Sequence, residues 1–281
     1  MLQREVFPKY RQYCQELVEI YEIMKDNFSP TSYEDLCKDR GYPLQESLQY
    51  DLFKSMNIGY FETDDIEIFK KYSEELGLFS KKGNLLLNGR YIIPVHDFGS
   101  DSIITSFRYD KGLMGGLKKV IPDFKKYITL STPFFSKMCM FFNFKQAYEL
   151  SWQKYDGFVI VVEGIFDCLS LRALGLPCIA TMGATVSKVK GEQLKLFRDV
   201  LGIPDDDATG RKSLNRYSRT GWKVPSNTVM LKFTGGLVDF GNTYLHCKDM
   251  DNFATWFEAD DVREILLSYR GSKEEIEELK L

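Results

Sequence analysis

An unbroken apolar run, Phe158-Val159-Ile160-Val161-Val162, carries the chain directly into Glu163-Gly164-Ile165-Phe166-Asp167. Short apolar runs bounded by glycine read as strands buried on both faces, which is the habit of parallel sheets. From there the pattern alternates. It predicts strands at 158–162, 177–181, 199–203 and 227–231, and helices at about 166–174, 187–198 and 208–217. Strands that alternate with helices imply parallel pairing through right-handed crossovers, with ligands at the carboxyl ends of the strands.

Two acidic clusters fall at those ends. Glu163 follows the first strand directly, Gly164 gives the backbone room to turn, and Asp167 falls in the first turn of the next helix. A carboxylate is favoured there by the helix dipole, and capping alone would account for it. The strand Asp199-Val200-Leu201-Gly202-Ile203 ends in Pro204-Asp205-Asp206-Asp207. Two carboxylates about 4 Å apart oppose each other by roughly 4 kcal/mol at an effective dielectric of 20, a cost that a divalent cation removes. Asp205 and Asp207 can reach one ion with Asp206 turned away, and oxygen ligands suit Mg²⁺. A solvated acidic turn is the alternative. A third pair, Asp249 and Asp251, follows another predicted strand.

The upstream residues read differently. Tyr10, Cys14, Leu17, Val18, Tyr21 and Met24 recur at helical spacing up to a break at Ser29-Pro30, and further helices are expected at 32–39, 44–56 and 64–76. Short β-rich runs follow at 91–95 and 103–107, with a glycine loop at 112–116 and a helix in the second half of 134–150. The net charge is −3, yet residues 81–145 hold eleven Lys and Arg against four Asp. That local excess fits a phosphate-binding surface or a solvated face of ordinary lysines. The expected organisation is a helical segment at 1–80 and a basic β-rich subdomain at 81–155. An acidic α/β domain at 156–251 and a short helical acidic tail at 252–281 complete it.

No apolar run approaches the ~18 residues of a membrane span. The six cysteines stand singly, and His96 and His246 are remote in sequence, so a zinc site is not expected. These features fit a cytoplasmic protein without a membrane partner.

Glu163-Gly-x-x-Asp167 followed by Asp205-x-Asp207-x-x-Gly210 resembles the Toprim signature, and neighbouring segments extend the resemblance to bacterial-type, DnaG-like primases. Asn88-Gly89-Arg90-Tyr91-Ile92-Ile93-Pro94-Val95 is similar to the basic motif of that family. Phe107-Arg108, Lys126-Tyr127 and Phe135-Ser136-Lys137 fall in the family's order, as do Met182-Gly183-Ala184-Thr185 and Lys248-Asp249-Met250-Asp251. Arg40 through Tyr60 resembles the helical segment that leads in, so the match covers about residues 30–260. Pro204 and Thr209 depart from the pattern, standing where the family commonly has an apolar strand residue and alanine. The family's zinc ribbon and helicase-binding domain have no counterpart in these residues, which implies a compact phage or plasmid primase, or one half of a split one.

The resemblance implies a Toprim-type, mostly parallel α/β sheet flanked by helices. It implies catalytic roles for Glu163, Asp167, Asp205 and Asp207, and Mg²⁺ or Mn²⁺ held by Glu163, Asp205, Asp207, Asp249 and Asp251. Arg90, Arg108, Lys126 and Lys137 would face nucleotide or template. The implied reaction is synthesis of short RNA primers on single-stranded DNA from ribonucleoside triphosphates. A replicative helicase or a separate zinc-binding subunit is the implied protein partner. A Toprim nuclease and a noncatalytic primase-like replisome or nucleic-acid-binding protein are the alternatives.

Overall fold

The computed structural model describes residues 2–40, 42, 48–96, 103–109, 127–130, 139–205, 207–214, 222–234, 237–239, 244–247, 249–272 and 276–280. The chain divides into two compact units, Met1–Ser136 and Lys137–Leu281.

The first unit opens with α1 (Leu2–Asp26), followed by α2 (Ser32–Arg40) and α3 (Leu48–Ser55). Tyr13, Cys14, Leu17, Ile20, Tyr21 and Met24 of α1 are buried. Val18 is half-exposed, so the apolar stripe runs one residue to the side of the predicted one. A four-stranded antiparallel sheet follows, in the order β1 (Gly59–Phe61), β2 (Arg90–His96), β3 (Ile103–Tyr109), β4 (Tyr127–Thr129). The helix expected at 64–76 is replaced by two 3₁₀ turns, Glu67–Phe69 and Glu74–Leu76. Glu16 of α1 accounts for the break. Its carboxylate accepts from the Ser73 backbone N–H at 3.0 Å and from Ser73 Oγ at 2.9 Å, which a continuous helix through Ser73 would forbid. Phe69 and Leu76 are buried from these turns. The glycine loop expected at 112–116 lies outside the described residues.

The second unit is a five-stranded, wholly parallel sheet in the order β11-β8-β7-β5-β6. Its strands are β5 (Phe158–Val162), β6 (Cys178–Ala180), β7 (Asp199–Ile203), β8 (Thr228–Thr234) and β11 (Ile276–Lys280). A separate two-stranded ribbon pairs β9 (Leu237–Asp239) with β10 (Tyr244–His246). Helices α4 (Phe144–Lys154), α5 (Ile165–Ala173), α6 (Lys188–Leu194), α7 (Ala208–Ser213), α8 (Met250–Trp256) and α9 (Ala259–Ser268) accompany them. All five β5 residues are buried, as two-sided cover of a parallel strand requires. Phe141, Phe144, Val159, Val161, Ile179, Leu194, Val200, Trp222 and Met230 form one cluster on the sheet. Phe142 closes the β6 edge through an antiparallel bridge to Ala180.

The terminal segment corrects the expected helical tail. After α8 and α9, residues Ile276–Lys280 form β11, paired in parallel with β8 from Ile276↔Met230 to Lys280↔Thr234. So short a helix would be marginal in water, whereas the open β8 edge offers a full ladder, and Leu279 is buried there.

Candidate active site

Register fixes the geometry. β5 and β7 pair so that Val162 faces Ile203, and the next residues, Glu163 and Pro204, therefore leave the sheet side by side. Asp205 follows one residue later, and the Asp207 N–H donates back to the Asp205 carbonyl at 2.9 Å, which curls the acidic arm. Asp206 lies outside the described residues. Asp205 is half-buried and Asp207 exposed.

The carboxylates feel one another. Burial first, then the charges of Asp207 and Asp167, push Glu163 up from 4.5 to about 7, against a hydrogen bond from the Asp205 backbone that lowers it. Asp205 rises further, from 3.8 to about 9, through burial and then through Asp167, Glu163, Asp249 and Asp207. The structure thus brings five of the six predicted carboxylates into one field. Glu163 Oε1 is buried without a hydrogen-bond partner.

Asp167 is held differently. Oδ2 accepts from the Gly164 N–H at 3.0 Å, which caps α5, and Oδ1 accepts from the Asp251 N–H at 2.9 Å. Gly164 sits at φ −93°, an ordinary extended conformation, so a turn does not require glycine there. Space does: a Cβ at Gly164 would stand 2.2 Å from Asp167 Oδ2. Asp251 is buried, and its Oδ1 accepts from Ser170 Oγ at 2.5 Å. Asp249 caps α8 by accepting from the Asn252 N–H at 3.0 Å.

These residues fit a hard divalent cation. The donors are all oxygen, and the partnerless Glu163 Oε1 is a ready ligand atom. Among the described residues, no three His, Cys, Asp or Glu side chains stand close enough to make a preformed cation group. The carboxylates share a field, therefore, while standing apart.

Of the basic candidates, Arg90 begins β2 opposite Phe61 in the first unit and is buried. The backbone of Arg108 lies in β3 opposite Ile92 and Ile128. Lys126 and Lys137 lie outside the described residues.

Sequence reasoning singled out Met182–Thr185 in the loop that follows β6 but passed over Lys190. Met182 adopts φ 58° and Gly183 φ 154°, and Lys190 of α6 is only 1% exposed. Lys190 Nζ donates to the Thr181 carbonyl at 2.5 Å and lies 5.1 Å from the centre of the Phe141 ring. The signal was present: Lys190 stands four residues before Leu194, on the same helix face as that apolar residue.

Residues 160–239 match a family described as Toprim-like. A DNA primase of Thermotoga maritima is 28% identical over 212 residues, covering 72% of this chain and 33% of that protein. The chain thus spans about a third of the length of that curated relative. Among solved structures, a DnaG primase catalytic domain bound to single-stranded DNA is similar with a TM-score of 0.65 at 14% identity, covering 93% of this chain and 80% of that one. The zinc-binding and RNA polymerase domains of the Aquifex aeolicus primase give 0.64 at 20% identity, covering 92% and 60%. The RNA polymerase domain of Mycobacterium tuberculosis DnaG gives 0.65 at 13%, covering 92% and 83%. At these identities the structural matches establish the fold. Among the described residues, no helix is long and apolar enough to cross a membrane.

Proposed function

From the premise that the chain carries a Toprim-like core within the fold of the DnaG primase catalytic domain, we propose that it is a DNA primase. It joins ribonucleoside triphosphates into short RNA primers on a single-stranded DNA template. The observation that carries this reading is the shared field of Glu163, Asp167, Asp205, Asp207 and Asp249 beside the carboxyl ends of β5 and β7.

Glu163, Asp205 and Asp207 are the residues that would hold Mg²⁺ or Mn²⁺, with Asp249 adding charge beside Asp205. When bound, the cation supplies charge stabilisation for the triphosphate and its transition state. Glu163 Oε1 is the acceptor placed for a cation or for the proton lost by the attacking 3′-hydroxyl. In that step the 3′-oxygen bonds to the α-phosphorus and pyrophosphate leaves. Asp167 and Asp251 act as positioning residues, because backbone amides occupy both Asp167 oxygens and Ser170 engages Asp251. Arg90, Arg108, Lys126 and Lys137 supply phosphate contacts to nucleotide and template. A replicative helicase or a zinc-binding subunit would supply start-site choice, and the setting is the cytoplasm.

The test is incubation with single-stranded DNA, four ribonucleotides and Mg²⁺ or Mn²⁺. New short oligoribonucleotides are expected. Shortened input DNA would identify a Toprim nuclease instead, and unchanged input with bound DNA a noncatalytic relative.

A further inference from the structure

The loop from Thr181 to Ser187 has its carbonyls claimed from several directions. Lys190 Nζ holds Thr181, and the Lys223 backbone N–H donates to the Val186 carbonyl at 3.0 Å. Between them the Ala184 carbonyl accepts twice, from Ser213 Oγ at 2.9 Å and from Trp222 Nε1 at 3.2 Å. A carbonyl has two lone pairs, and these two donors use both.

Both donors are buried. Trp222 is 0% exposed and Ser213 1%, so water does not compete for the carbonyl. The Trp222 backbone N–H also donates to the Ser213 carbonyl at 3.0 Å, tying the donors to each other. The indole packs on β7, where a Cβ at Gly202 would stand 3.2 Å from Trp222 Cζ3. One residue on, the Lys223 carbonyl approaches α6 so closely that a Cβ at Gly191 would come within 1.9 Å. Glycine is required at Gly191 by this approach.

Ser213 is the last residue of α7, and the first, Ala208, follows Asp207 directly. At about 1.5 Å per residue the helix spans about 9 Å between its anchor and the acidic arm. A phenylalanine at 222 would keep an aromatic ring and an alanine at 213 a small side chain, but neither could donate to Ala184. We infer that Ser213 and Trp222 are positioning residues for the acidic arm. By fastening the far end of α7 to the Ala184 carbonyl, they fix where Asp205 and Asp207 stand relative to Glu163. The assignment rests on the reading of those carboxylates as a cation site.

The test uses the full chain and the variants Ser213→Ala, Trp222→Phe and their combination. Hydrogen exchange over residues 207–213 in cation-free protein should quicken about threefold in each single variant and tenfold or more in the double. Exchange in α9 should stay as it was. Exchange over 207–213 equal to that of the parent, or quickened equally in α9, overturns the inference, because Ser213 and Trp222 would then only contribute to general stability. Equilibrium Mn²⁺ binding is read in parallel, and half-saturation should rise at least threefold in the double variant. Unchanged Mn²⁺ affinity with quickened exchange also overturns the inference, since the arm would then be loosened without consequence for the ion. A parent chain that binds no Mn²⁺ overturns the cation-site reading, while the exchange result still decides whether the clamp holds the arm.

Discussion

The Asp251 backbone N–H donates to Asp167 Oδ1 at 2.9 Å, across 84 residues of sequence, and so joins the first turn of α5 to the first turn of α8. Ser170 returns the link by donating to the Asp251 carboxylate. The two acidic motifs are thereby locked to each other through their own side chains.

Asp167→Asn tests this lock. An amide presents one acceptor oxygen and one NH₂ group, so one of the two backbone N–H donors would face another donor. Loss of a buried bond to a charged acceptor costs about 2 kcal/mol. The variant should unfold at lower denaturant concentration with an unchanged m-value.

Asp207→Asn should behave in the opposite way. Asp207 is exposed, and its charge raises the pKa of Glu163. Cation-free stability should hold or rise slightly as repulsion is relieved, while primer synthesis falls at least 100-fold. Retained synthesis with a lower Tm would make Asp207 a turn residue.

The acidic field predicts a pH dependence. Glu163 rises from 4.5 to about 7 and Asp205 from 3.8 to about 9 on folding, so between those limits the folded state binds more protons than the unfolded. Stability of the cation-free protein therefore falls as pH rises from about 4 to about 9. Saturating Mg²⁺ should flatten the profile by replacing the lost protons. Thermal melts across that range, with and without Mg²⁺, check both halves; stability that climbs with pH in the cation-free protein would contradict the assignment.

Lys190→Ala would remove a buried side chain, its bond to the Thr181 carbonyl and its contact with the Phe141 ring. The cavity and the vacated carbonyl together cost about 3 kcal/mol. Chemical denaturation measures it, and a change below about 0.5 kcal/mol would show that the loop is held without this ammonium.

What the sequence made legible follows from the range of the forces involved. β5 and β7 occupy the predicted positions, 158–162 and 199–203, because a parallel strand buried on both faces must be locally apolar and end abruptly. Glu163 was readable because its place at a strand end is set by its neighbours. The 3₁₀ turns at 67–69 and 74–76 were not, since Glu16 captures Ser73 from 57 residues away. β11 was hidden for a related reason: Glu277, Glu278 and Lys280 resemble a polar helix, and only the open edge of β8 makes them a strand. The double use of the Ala184 carbonyl lies further still from local pattern, because it joins three separate stretches of chain.

The pairing of β11 with β8 also orders events during synthesis. β8 is complete at Thr234, but its partner begins only at Ile276, so the nascent chain carries a bare strand edge through the emergence of α8 and α9. An unpaired edge of that kind invites pairing with a neighbouring chain on the same polysome. Closure of the sheet thus waits for residues made after Glu163, Asp205 and Asp249.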